Sequence, residues 1–172
     1  MEQLLKGKRV LIVDDEPDIL DTLKDLLDMC IIDSAPNFET AQKFLKRSSY
    51  DAAILDIMGV KGYDLLELTK EKNIPSLMLT AHALSPDNLV KSLKKGALSY
   101  IPKEQMADIA TYLKEIIQAR QKGTGKPKKW LKRLSPFFDK KFGPEWKAEH
   151  KEFWEDFDRI KPVTRKEAED ML

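Results

Sequence analysis

An α/β fold, a doubly wound five-stranded parallel sheet followed by a short helical C-terminal extension, is predicted by three observations in this 172-residue chain. Short apolar runs alternate with segments of helical periodicity through the first 120 residues. The strongest of these runs are continuous rather than alternating, as in strands buried on both faces of a parallel sheet. All three Trp and five of the seven Phe then crowd between Trp130 and Phe157, setting apart a second compositional region.

The elements follow in order. Val10 to Val13 is an aliphatic run suited to a buried strand, and Ile19, Leu23, Leu26 and Leu27 recur at helical spacing after Pro17, a residue favoured in a first helical turn. Ile31 to Ala35 is a weaker strand, Ala41, Phe44 and Leu45 mark a short helix, and Ala52 to Leu55 is a second strong strand. Leu65, Leu66 and Leu68 predict the next helix, and Pro75 introduces the buried run Leu77 to Leu79. Ser85 and Pro86 form an N-cap and first-turn pair for a helix through Leu89, Leu93 and Lys95 that Gly96 ends. Leu98 to Ile101 supplies the fifth strand, and Ile109, Leu113, Ile116 and Ile117 a closing helix. Residues 121–129 (QKGTGKPKK) lack apolar periodicity and read as a solvated linker between a domain at 1–120 and an extension at 130–172.

Composition narrows the function. Thirty Lys and Arg against 29 Asp and Glu leave a net charge of +1, so no global pull toward nucleic acid follows. Cys30 is the single cysteine, which excludes an internal disulfide and a thiolate zinc cluster; its apolar neighbours suggest a buried, inert thiol. No apolar run approaches the roughly 18 residues of a membrane span, so a soluble, cytoplasmic protein is expected.

Chemistry in an open parallel sheet collects beyond the carboxyl ends of the strands. Those ends carry Asp14 and Asp15, Asp56, Thr80 and, past Ile101, Lys103. Each alone reads as a turn, cap or solvated surface residue. Together they match one reaction. Clustered carboxylates call for a hard cation such as Mg2+, while a carboxylate nucleophile with a nearby amine and hydroxyl suits phosphoryl transfer to Asp56.

The segments VLIVDDEPDIL, AAILDI, SLMLTA and GALSYIPK, in this order, resemble the receiver domain of response regulators (flavodoxin-like, CheY-like fold) over about residues 6 to 120. The resemblance implies that Asp14, Asp15 and Asp56 bind Mg2+ with the Met58 backbone carbonyl, and that Asp56 accepts phosphate from a sensor histidine kinase or phosphotransfer protein. It further implies that Thr80 and Lys103 read out phosphorylation and that Tyr100 occupies an aromatic switch position; a half-buried strand aromatic is the plainer reading of Tyr100. Two departures stand out. DIMGVKG places Gly62 six residues after Asp56 and lacks a Pro, making the loop two residues shorter than the family pattern and predicting altered phosphate lifetime or metal affinity. Lys103 follows Pro102 and precedes Glu104, so the family's Lys-Pro cis peptide is not expected. His82, two residues past Thr80, reads as a surface histidine at a position that in the family can govern water access to the phosphoryl group.

In the extension, Trp130, Leu131, Leu134, Phe137 and Phe138 form an apolar segment that Pro136 should break. Gly143 and Pro144 predict the start of an amphipathic helix carrying Trp146, His150, Phe153, Trp154, Phe157 and Ile160 on one face until Pro162, and Thr164 with Glu167 resembles a capping box. The aromatic stripe could pack on the first domain or a second subunit in a homodimer, or dock a downstream protein. Nucleic-acid binding through Lys126, Lys128, Lys129, Lys132 and Arg133 is disfavoured by interleaved acids. Three functions compete: a phosphorylation-controlled switch, a phosphorylation-independent adaptor, and an aspartate-based phosphohydrolase. The last lacks an acid/base aspartate two residues beyond Asp56, where Met58 stands.

Overall fold

The computed structural model describes residues 2–159. A short helix α1 (Glu2–Leu5) precedes five strand–helix units: β1 (Arg9–Val13), α2 (Pro17–Leu26), β2 (Ile31–Ala35), α3 (Phe38–Arg47), β3 (Ala52–Leu55), α4 (Gly62–Glu71), β4 (Ser76–Thr80), α5 (Pro86–Lys94), β5 (Ser99–Pro102) and α6 (Ile109–Lys122). The strands form one all-parallel sheet in the order β2-β1-β3-β4-β5. Every residue of β3, β4 and β5 is buried, which is why their sequences are continuous apolar runs. The chain reverses its direction of winding between β1 and β3, so the crevice at their carboxyl ends is the place where such sheets bind ligands.

Register makes these ends level. Val13 pairs with both Ala35 and Leu55, Leu55 with Met78, and Thr80 with Pro102. The caps form as the sequence predicts at α5, where Ser85 Oγ accepts from Asn88 N at 3.0 Å with Pro86 in the first turn. Asn37 does the same for α3 through Thr40 N. After β5 the chain winds a 3₁₀ turn over Lys103–Asp108 before α6.

Beyond α6 the chain makes α7 (Lys129–Phe142), a 3₁₀ turn (Ala148–His150) and α8 (Lys151–Arg159). Pro136 does not break α7. It sits on the exposed side, and the lost backbone bond, about 3 kcal/mol, is outweighed by burial of Trp130, Leu131, Leu134 and Phe138 on the other side. Gly143 and Pro144 do not start a helix either. Gly143 adopts φ +92 at the end of α7, and the bonds from Trp146 N to Gly143 O and from His150 N to Lys147 O wind tight turns before α8 begins. Ile160, Pro162, Thr164 and Glu167 lie outside the described residues.

The extension is continuous with the core of the sheet. Phe138 sits 6.3 Å from Tyr100 of β5 between ring centroids, and a ladder of rings runs on from Phe138 to Trp146 (5.6 Å), Trp154 (5.4 Å) and Phe157 (5.4 Å). Its rim is tied down by Arg133 to Glu115 on α6, Lys141 to Glu104 and His150 to Asp87 on α5. The connection between α6 and α7 is not fully solvated: Lys126 is half-buried and donates to the Leu93 carbonyl, and burial pushes its amine below the usual lysine value. Cys30 is half-buried rather than buried; its thiol points to the Leu5 carbonyl, and burial raises its pKa, which disfavours the reactive thiolate.

Candidate functional site

Three of the strand-end residues meet directly. Lys103, the first residue past β5, lies with Nζ 2.9 Å from Asp14 Oδ2 and 3.2 Å from Asp56 Oδ2, although its chain position is 89 and 47 residues away from them. Asp14 and Asp56 are 2% and 3% exposed, so this is a buried charge cluster and not a surface salt bridge. Asp56 Oδ1 accepts from Ile57 N at 2.9 Å, and Asp14 Oδ1 accepts from Glu16 N at 2.9 Å. Each carboxylate thus has one oxygen fixed by backbone and the other turned toward the ammonium.

The electrostatics follow from that burial. Asp56 is pushed up to about 6, by desolvation first and by the neighbouring Asp14 charge second, against the pull of Lys103. Asp14 is raised as well, again by burial, with Lys103 opposing. Burial alone would lower Lys103, but the carboxylates around it outweigh desolvation and hold it above the ordinary lysine value. Asp14 Oδ2 is buried with the Lys103 ammonium at 2.9 Å as its one charged partner.

A carboxylate oxygen has room for a second partner, and a buried, charged one suits a hard cation. Asp14, Asp15 and Glu16 each offer a carboxylate oxygen within 4.8 Å of the others. Asp56 lies beside Asp14 across Lys103, and Glu16, to which the sequence expectation gave no role, joins the acidic pair. Glu16 holds Lys103 at 3.2 Å and faces the His82 imidazole at 3.6 Å. The signal for it was the third acid of the run Asp14-Asp15-Glu16, whose side chain the turn into α2 brings back over the strand ends.

The short loop after β3 is built around two glycines. At Gly59, φ +84, a Cβ would fall 2.2 Å from Asp15 Oδ2; at Gly62 it would fall 2.0 Å from the Asp56 carbonyl oxygen. Lys61 adopts a left-handed conformation between them, and Gly62 N closes the loop on Ile57 O at 3.0 Å. The loop therefore closes by close backbone approach, which only glycine permits. Met58 is 53% exposed in this loop.

Thr80 and Tyr100 belong to one hydrogen-bonded chain. Thr80 Oγ1 accepts from Ala83 N at 3.2 Å, the Tyr100 hydroxyl donates to Ala83 O at 2.7 Å, and Ser85 N donates to the Tyr100 hydroxyl at 3.2 Å. Tyr100 is fully buried, which raises its pKa and leaves it a neutral donor. His82 is exposed, and His150 pairs with Asp87 far from the carboxylates. No cis peptide occurs among the described residues, Pro102 included.

A five-stranded parallel sheet in this order, with buried acids and a lysine at its carboxyl edge, defines a receiver-type signalling fold. Residues 10–114 match the family "Response regulator receiver domain", and the chain belongs to that family. It is similar to the two-component response regulator ARR10 of Arabidopsis thaliana, 34% identical over 110 residues that cover 60% of this chain and 20% of that protein. It is 33% identical over 105 residues to the response regulator protein PilR of Pseudomonas aeruginosa, covering 58% and 23% of the two chains. The chain thus spans about a fifth of the length of these curated relatives. Among solved structures, a CheY-like receiver domain protein from Methanospirillum hungatei JF-1 covers 67% of this chain and 98% of its own at 29% identity, with a TM-score of 0.62. A response regulator from Thermotoga maritima gives 26% identity and a TM-score of 0.59 over 65% and 98%. The protein is a receiver domain of two-component systems, a signalling family, and no described helix is long and apolar enough to cross a membrane.

Proposed function

We propose that this receiver accepts a phosphoryl group on Asp56 from the phosphohistidine of a sensor histidine kinase or phosphotransfer protein, with Mg2+ as cofactor, in a cytoplasmic phosphorelay. The observation that carries this reading is the Lys103 ammonium held against Asp56 Oδ2 and Asp14 Oδ2 where β1, β3 and β5 end. A carboxylate oxygen of Asp56 attacks phosphorus, the P–N bond of the donor breaks, its electron pair stays on the imidazole, and an acyl phosphate remains on Asp56. Bound Mg2+ would neutralise charge on the transferring phosphoryl oxygens. Asp14, Asp15, Asp56 and the Met58 backbone carbonyl are the groups that would hold it. Lys103 is placed to pair with a second phosphoryl oxygen and the Thr80 hydroxyl to bond a third, which makes both part of the reaction's electrostatic support.

Asp56 must be ionised to attack, and its pKa of about 6 makes acceptance fall as the pH drops through that value. Incubating the protein with Mg2+ and a small phosphodonor should give a hydroxylamine-labile mass increase of one phosphoryl group, absent in Asp56→Asn. A wild-type chain that never labels would instead favour a phosphorylation-independent adaptor.

A further inference from the structure

Lys61 breaks two local rules at once. Among the described residues it is one of two non-glycines with positive φ, at φ 54 and ψ 54, where a Cβ crowds the following carbonyl. The other is Asn73, a residue type that visits this region readily. Lys61 also stands at the N-cap of α4, a position that favours Ser, Thr, Asp, Asn or Gly, and its side chain makes no capping bond. A residue that costs stability on both counts has its compensation elsewhere in the structure.

That compensation is Phe38. The Lys61 ammonium lies 5.2 Å from the centroid of the Phe38 ring, within range of cation–π attraction. Phe38 opens α3 just past the end of β2 and is partly buried against the core, and the Asn37 side chain caps the helix by accepting from Thr40 N. β2 ends level with β1, so the ring stands at the same carboxyl edge as Asp14 and Asp15. The contact ties the loop after β3 to a fixed neighbouring element.

What the tie holds is backbone packed on Asp15. Val60 anchors the inner half of the loop in the core, and Gly62 N closes it on Ile57 O at 3.0 Å. The outer half has no such anchor: Met58 is 53% exposed, and Gly59 approaches Asp15 so closely that a Cβ there would fall 2.2 Å from Oδ2. Where this backbone sits decides where the Asp15 carboxylate can sit. Lys61 is two residues along from Gly59, and its hold on Phe38 restrains that position from outside the site.

Resting on the reading that Asp15 holds Mg2+, we infer that Lys61 is a positioning residue for the metal site: its ammonium on the Phe38 ring fixes the loop after β3, and the loop fixes the Asp15 carboxylate. Lys61 acts through the backbone of residues 58–60 and not on the ion itself. Two effects then have opposite signs. As a positive charge near a cation site, Lys61 repels Mg2+, so charge alone makes its removal tighten binding. As a strut, its removal loosens binding.

The test compares Mg2+ affinity, by calorimetric titration of the full chain, with the metal-free melting temperature. Asn tolerates the left-handed region, so Lys61→Asn should not lower the melting temperature, yet its Mg2+ affinity should fall about threefold, the size of an exposed cation–π contact. Phe38→Leu keeps the charge and most of the apolar bulk and should lose the same factor, and the double variant no more than either alone. Lys61→Arg, which returns a cation to the ring, should bind Mg2+ as the wild type does. Unchanged or tighter binding in Lys61→Asn overturns the inference, as do losses that multiply in the double variant. A melting temperature that falls together with the affinity gives Lys61 a merely structural role and overturns it too. In each of these cases Mg2+ binding by the wild type leaves the phosphoacceptor reading standing, whereas a wild type that binds no Mg2+ overturns both.

Discussion

The carboxyl edge of the sheet and the aromatic extension are built on opposite terms. At the edge, two buried carboxylates share one ammonium, and Asp56 is lifted to about 6. In the extension, apolar rings fill the interior and the charges Arg133, Lys141 and His150 stay toward the rim. The edge holds charged groups in place at the expense of stability, whereas the extension gains stability by covering β5. Substitutions should therefore separate the halves by sign: neutralising the Asp56 carboxylate at the edge should stabilise, and trimming a ring in the extension should destabilise.

The largest effect is expected at Phe138, fully buried and in contact with Tyr100, Phe137, Phe142 and Trp146. Phe138→Ala should lose about 3 to 5 kcal/mol in urea unfolding, as other buried Phe truncations do. A loss below about 1 kcal/mol would mean that the extension is not part of the cooperative core.

The opposite sign is expected at Asp56. Its folded value of about 6 lies above the ordinary 3.8, so the stability it contributes is full below 3.8 and is lost as the pH rises through 6. Asn cannot ionise and avoids that loss. Asp56→Asn should be more stable than wild type by about 2 kcal/mol at neutral pH, after a discount for the lost Lys103 partner, with the gain vanishing near pH 4. Melting temperatures across pH check this, and a gain that grew toward acid would contradict the burial argument.

Much of the edge was legible in the sequence because parallel sheets put chemistry at strand ends and the strands announce themselves as continuous apolar runs. Asp14, Asp56 and Lys103 came together for that reason. Glu16 did not stand out, since its part depends on how the turn into α2 folds back over Lys103, and turn geometry leaves little trace in residue type. The extension was legible as aromatic and helical but not in outline. Pro136 looked like a break because local propensity was weighed without the burial that overrides it, and Gly143 looked like a helix start although its positive φ ends α7. Nothing in the sequence pointed the stripe at β5 in preference to another chain.

A smaller effect sharpens the edge side of the comparison. Gly59→Ala adds a Cβ against Asp15 Oδ2 and strains a left-handed residue; Gly125→Ala, φ +77 with open space around it, carries only the strain. Both should cost about 1 to 2 kcal/mol of stability from the backbone alone. Only Gly59→Ala should also weaken Mg2+ binding by calorimetric titration, by about tenfold, because it displaces a carboxylate that would hold the ion. Equal Mg2+ affinities in the two variants would mean that the short loop does not set the position of Asp15.

The smallest effect belongs to Lys141, which pairs with Glu104 at 3.1 Å while both side chains remain largely in water. The same lysine–carboxylate chemistry at Lys103 is buried, so the two pairs compare one interaction in two environments. In water, screening and side-chain entropy consume most of the attraction, and a double-mutant cycle over Lys141→Ala and Glu104→Ala should yield a coupling below about 1 kcal/mol that fades in high salt. A larger, salt-resistant coupling would place the hold on the extension in its rim. A small one leaves it with the rings around Phe138, the part of the extension in direct contact with Tyr100.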